Sequence, residues 1–368
     1  MPSPAGRAAL MAVLLAGTAC PTPEPQDTGE PPWPGIDNLG PEQLQPPDEL
    51  WQARYFTVPP ERGLLWERDP DFWIDNMTVP HIVVLGDGSF MMMATNMADP
   101  EGRWSLHSDD GLSWTAADQA LFLPTDFPQD CGNRIEDGTV LYNEDGSYRL
   151  LLEGTLLDKS VGWTDWRVWC QAHSDDGVSF EPAPGYFYEG SDNDDALISV
   201  PTPLTLGDWS ALIYYMGDIY SEHGGYETGN GIRIAHAPAG ADQAVPWITD
   251  NVLPSGQMDP MPVYLEGGGV RLYHTSTAPF DDNDVLPGPG PGYAETQDGK
   301  SFDDVTRILG VDGNCLEYPG GECLLDPFFL HLDDGTLVLY YTYLEMEGGG
   351  SEPTNWLKMG IGRAFSQD

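Results

Sequence analysis

The chain has 368 residues, with 15 Lys and Arg against 59 Asp and Glu, and a formal charge of −44 at pH 7. A surface this acidic repels nucleic acid and anionic membranes, so both are excluded as electrostatic partners. The length supports a sizeable core and could hold two or three domains.

In chain order, the first feature is Arg7 followed by the apolar run AALMAVLLAG and small residues up to Cys20. Residues 1–20 resemble a bacterial lipoprotein signal, in which Cys20 becomes the lipid-bearing first residue, although Gly17 stands where a Leu is usual. An ordinary secretory signal cut near GTA, with Cys20 unmodified, is the other reading. No other run approaches the roughly 18 to 20 apolar residues of a membrane span. Residues 21–48 are Pro-rich and acidic and are expected to form an extended tether. Residues 49–368 are left as the folded domain. The expectation is an exported monomer, lipid-anchored at the envelope of a bacterium, at its outer membrane or surface. Export favours pairing of the remaining cysteines, and four allow three connectivities. Cys315 with Cys323 would clip the loop NCLEYPGGEC, and Cys131 with Cys170 would tie two neighbouring segments. A zinc site lacks the ligand spacing it needs.

Beyond the tether the chain repeats itself. HSDDGLSW (His107 to Trp114) returns as HSDDGVSF (His173 to Phe180). Weaker copies anchored on Ala237, Thr296 and Ala364 follow Ser108 and Ser174 in steps of 66, 63, 59 and 68 residues. A second ruler, the apolar segments aligned on Pro80, Gly138, Pro201, Pro260 and Pro327, steps by 58, 63, 59 and 67. Two rulers in phase predict five copies of one unit. Each unit holds short β-type runs separated by Gly, Asp, Asn and Pro, without a sustained 3.6-residue period. The fold predicted is all-β: a five-bladed propeller of four-stranded antiparallel blades, its ring closed by an N-terminal strand near Leu50 to Val58. The repeated SDDG phrase reads as a turn joining the third and fourth strands, with Asp bonding the backbone and Gly taking positive φ.

These residues carry a resemblance. First strands of the type D-P followed by D-G, second strands like LVLYYT and S-x-D-G-x-x-W/F turns resemble the arabinanase, xylosidase, invertase and levansucrase group of five-bladed propeller glycoside hydrolases, over roughly Trp73 to Phe365. Sialidases, which need a cluster of Arg, are disfavoured because the first strands read as free of Arg. In the group resembled, catalytic acids stand immediately before the Pro of inner strands. The corresponding positions here are Val79, Asp137, Val200, Asp259 and Asp326. The resemblance implies three acids, a base, a group tuning the acid's pKa and a general acid, spaced two, one, two around the ring from the first blade. Here the carboxylates fall on blades two, four and five, the same spacing rotated, which gives Asp137 as base, Asp259 as tuner and Asp326 as acid. Val79 departs from the group, and Asp75 or Glu136 could supply the missing carboxylate.

A site of this kind cleaves a glycosidic bond with one protonated and one ionised carboxyl. The expected function is hydrolysis of an extracellular polysaccharide or oligosaccharide by a glycosidase. The alternative is a non-catalytic propeller of the same lineage that binds glycan or protein at the cell surface. Further candidates for sugar binding are His81 and His274, read as lying on inner strands, and Tyr220, Glu222, His223 and Tyr226 in a polar loop rich in aromatics. The same loop carries Asp218. No cofactor is required; SDNDDA and FDDNDV are acidic clusters that could hold a structural Ca²⁺, although neither is an EF-hand loop.

Overall fold

A computed structural model of the protein describes residues 39–98, 102–128, 131, 134–157, 165–189, 197–218, 231–254, 256–276, 289–310, 321–346 and 356–368. The signal reading at Cys20, the tether up to residue 38, the loop bearing Tyr220, Glu222, His223 and Tyr226, both acidic clusters and Cys315 lie outside the described residues.

Five antiparallel sheets follow one another along the chain. Blade one is Met77–Val84, Phe90–Asn96, Arg103–Ser108 and Thr115–Phe122. Blade two is Arg134–Tyr142, Tyr148–Leu157 and Asp165–Ser174, with Glu181–Pro182 and Tyr188–Glu189 as its outer edge. Blade three is Leu197–Thr205, Ala211–Asp218, Gly231–Ala237 and Val245–Ile248. Blade four is Gln257–Leu265, Val270–Ser276, Gly290–Thr296 and Thr306–Arg307. Blade five is Glu322–His331, Leu337–Met346 and Trp356–Ser366. The first strands of neighbouring blades touch in a closed ring, one to two to three to four to five and back to one. The inner strand of blade two starts at Arg134, so the first strands hold one Arg rather than none.

Both faces of each blade are covered by a neighbour, which is why the second strands read as unbroken apolar runs. In FMMMA, Met91 and Met93 pack toward Leu150 and Leu152 of blade two. Phe90, Met92 and Ala94 pack toward Leu330 and Leu339 of blade five. The repeated turn is a staple, as expected. Ser108 Oγ accepts from the Gly111 amide at 2.9 Å, and Asp110 Oδ1 accepts from Leu112 and Ser113 at 2.8 and 2.7 Å. Ser174 and Asp176 make the same bonds. Gly111 sits at φ 71°, and a Cβ there would meet Leu332 and Leu330 of blade five. Glycine therefore serves both the turn and the fit between blades.

Two boundaries differ from the sequence reading. The closing strand is Trp66–Arg68, which pairs antiparallel with the last strand of blade five, Glu67 opposite Phe365. Leu50 to Val58 instead forms a 3₁₀ turn, Trp51–Phe56, and a two-residue strand, Thr57–Val58, parallel to the inner strand of blade four. Leu50, Ala53 and Phe56 recur every three residues, the 3₁₀ period. They line a cavity of about 40 Å³ with Ile82, Thr202, Met261 and Phe328, so the turn plugs one end of the central channel. The expected tether also meets the propeller before its predicted end at residue 48: Leu44 is fully buried in the core shared by blades three and four.

Cys131 and Cys170 form a disulfide, one of the two expected pairs. Cys323 is disulfide-bonded as well.

Candidate active site

Every inner strand slips register once, at the residue before its Pro or Gly: between Thr78 and His81, Glu136 and Gly138, Ser199 and Thr202, Met258 and Met261, and Leu325 and Phe328. These β-bulges re-aim one side chain per blade. Four of the bulge residues take left-handed backbone: Val79 (φ 54°), Val200 (51°), Asp259 (52°) and Asp326 (50°). For β-branched Val this is an outlier, retained because the surrounding structure fixes it. The bulges are stitched between blades. The Val79 amide donates to Thr342 Oγ1 of blade five at 2.7 Å. The Val200 amide donates to Glu153 of blade two at 3.3 Å. The Asp326 amide donates to Thr275 Oγ1 of blade four at 3.1 Å.

The same amide of Asp326 lies 3.4 Å from Asp259 Oδ2, so the acids of blades four and five are immediate neighbours. Burial lifts the proton affinity of Asp326 well above the usual carboxylate range, and the charges of Asp259 and Asp137 lift it further. Bonds from Thr342 and the charge of Arg103 oppose the shift. Burial raises the pKa of Asp259 too, against hydrogen bonds from Thr275 and the Asp326 amide. Neighbouring carboxylates cannot both ionise freely, which adds to the raised proton affinity of this corner of the site. Asp137 is half-buried at the bulge of blade two, and its charge raises the proton affinity of both Asp326 and Arg103.

Two residues complete the constellation that the sequence reading missed. Arg103, on the third strand of blade one, is fully buried. Its Nη1 donates to Thr95 Oγ1 at 2.6 Å and its Nη2 to the Val79 carbonyl at 3.4 Å. Burial pulls its pKa down, and the carboxylates of Asp137, Glu136, Asp326 and Glu153 push it back up. Glu153, also fully buried, accepts from Ser199 Oγ at 2.5 Å. The repeat carried a signal for both. Arg103 lies five residues before Ser108, where the next copies have Trp169, Ile232 and Pro291. Glu153 pairs across from Glu136 where the blades of Thr78, Met258 and Leu325 offer Thr95, Thr275 and Thr342.

Of the remaining candidates, Glu136 lies beside Asp137 within the field of Arg103. His81 lines the channel with Asp259, Asp326 and Phe328; burial, then Arg103, pushes its pKa down to about 3, so it is neutral. His274 lies on the second strand of blade four, not on an inner strand, opposite Gly292; burial lowers its pKa to about 4. Asp75 stands apart from the ring of bulges, exposed, opposite Gly360 of blade five, bonded to Trp73 and Asn76. Among the described residues no group of three or more His, Cys, Asp or Glu side chains is arranged to hold a metal ion.

Comparison with family models and with curated protein sequences finds no match. Solved structures do match. A thermostable family-43 glycoside hydrolase superposes with a TM-score of 0.54 at 11% identity, over 81% of this chain and 92% of its own. A xylan β-1,4-xylosidase from Bacillus halodurans C-125 gives 0.55 at 13%, over 80% of this chain, which spans only 54% of that enzyme. An endo-1,5-α-L-arabinanase from Thermotoga petrophila RKU-1 gives 0.52 at 12%, over 81% and 72%.

Proposed function

The chain has the five-bladed propeller fold of these glycoside hydrolases, and from that premise we propose that it hydrolyses a polysaccharide or oligosaccharide outside the cell, exported through its N-terminal signal and anchored through Cys20. The observation that supports this reading is Asp326 buried beside Asp259, with its proton affinity raised by burial and by the charges of Asp259 and Asp137. In the proposed roles, Asp326 gives its proton to the leaving oxygen. Asp259 raises the proton affinity of Asp326, and Asp137 activates water from the other side. An inverting pair needs a separation of roughly 6.5 to 9.5 Å to admit that water. Environments that push the pKa values of two carboxyls apart are how such an acid and base are told apart.

The second reading, a propeller that binds glycan or protein without cleaving it, is favoured by Val79, which puts an apolar side chain at the first-blade position. Both are tested by assaying aryl glycosides, arabinan, xylan, fructan and galactan with the wild type and with Asp137→Asn, Asp259→Asn and Asp326→Asn, each checked for folding. Activity lost in folded variants supports the trio. Activity surviving all three moves the chemistry elsewhere, and glycan binding without turnover supports the second reading.

A further inference from the structure

At the end of the channel opposite the bulges, each inner strand turns into the second strand through one loop. In all five the loop closes with the same bond, the fourth residue's amide donating to the first residue's carbonyl: Gly88 to Leu85, Gly146 to Asn143, Trp209 to Leu206, Gly268 to Leu265 and Gly335 to Leu332. That donor takes left-handed backbone in every blade, at φ 87°, 84°, 64°, 111° and 86°. Four blades use glycine, for which the conformation is free; blade three uses Trp209, for which it is strained. A bulky residue kept at a strained position points to a function on that face.

Trp209 lines a cleft of about 230 Å³ there, together with Trp51, Gln52, Asn143, Ser147 and Asp176. Trp51 is 39% exposed, one of the three most exposed large hydrophobic side chains among the described residues. Its ring is braced. The Arg54 guanidinium lies 5.5 Å from the ring centroid and is itself held by Tyr55 Oη at 2.6 Å and Asp333 at 3.0 Å. Trp51 also borders a second, open depression of about 590 Å³ lined by Gln45, Thr57, Glu266 and His331.

We propose that this closed face carries a binding site for a neutral sugar chain, separate from the carboxylate site and independent of whether that site is catalytic. The chemistry selects the ligand class. Indole rings stack on the C–H face of a sugar ring, and amides, hydroxyls and carboxylates around them match its hydroxyl edge. The rim, which includes Glu49, Glu144, Asp175 and Asp176, disfavours uronates and sulfated glycans. A braced Trp loses little freedom on binding.

The test follows intrinsic Trp fluorescence while xylohexaose, cellohexaose, arabinohexaose or mannohexaose is added, with sedimentation on insoluble xylan and cellulose as a second readout. Wild type, Trp51→Ala, Trp209→Gly and Asp326→Asn are compared, with a thermal melt for each. The expected result is binding of at least one neutral oligosaccharide, weakened at least tenfold by Trp51→Ala and by Trp209→Gly and retained in Asp326→Asn. Trp209→Gly relieves the strained turn but removes an indole packed against the core shared by blades three and four, and Trp51→Ala removes an edge contact to buried Tyr55, so the melts separate lost binding from lost folding. Affinity unchanged by both Trp variants, or no binding to any of the four oligosaccharides or two polysaccharides, overturns the proposal.

Discussion

Arg103 is a cation fixed inside a ring of acids, and its removal isolates several buried negative charges at once. Arg103→Met is expected to cost about 3–5 kcal/mol, the usual range for breaking a buried charged set, with Arg103→Lys costing less because the charge survives. Urea denaturation measures both. Asp326 behaves in the opposite sense. Its native proton affinity is raised from the ordinary 3.8, so its contribution to stability is present below that value and is lost as pH rises through the native pKa. Asp326→Asn, which cannot ionise, is therefore expected to melt above wild type at pH 8, with the gap closing toward pH 4; a gap that widens in acid contradicts the assignment. The staple acid Asp176 is lowered to about 2 by the Ser179 and Val178 amides and Ser174. Its contribution is present above 3.8 and fades as pH falls through 2, so Asp176→Ala should cost about 1 kcal/mol at neutral pH, discounted for solvent screening, and progressively less as the pH falls through 2.

The strand is the scale at which the sequence was most legible, because a fivefold unit averages out local ambiguity. Turns, inner strands and all five bulge residues follow from two rulers in phase. The closing strand did not, since WER is three residues long and leaves no alternation to read, while the apolar spacing at Leu50, Ala53 and Phe56 belongs to a 3₁₀ turn. The bulge acids were visible because Pro or Gly marks their position. Arg103 and Glu153 were less so, because each reaches the site from a third or second strand, where burial against the next blade is decided by register between blades. One covalent link spans blade two, the Cys131–Cys170 bond across a sequence separation of 39 residues. Replacing both cysteines by Ala is expected to lower stability by about 2–4 kcal/mol, read from equilibrium unfolding without reductant.

Across the whole molecule the ring has two unlike ends. One presents three half-buried or buried acids within the field of buried Arg103; the other is plugged by Trp51–Phe56 and carries the two Trp side chains. With the channel blocked at that end, the proposed reaction has its sugar enter and leave on the side of the bulges. In the proposed reaction Asp326 donates a proton and Asp137 activates water, and the leaving-group dependence of hydrolysis tests both roles most directly. Asp326→Asn should lose about 10²–10⁴-fold on a polysaccharide or alkyl glycoside, the usual worth of a general acid, yet keep most of its rate on a dinitrophenyl glycoside, whose leaving group needs no proton. Asp137→Asn should lose rate on both. Equal losses of Asp326→Asn on both substrates, or full activity of Asp137→Asn on either, would contradict the account.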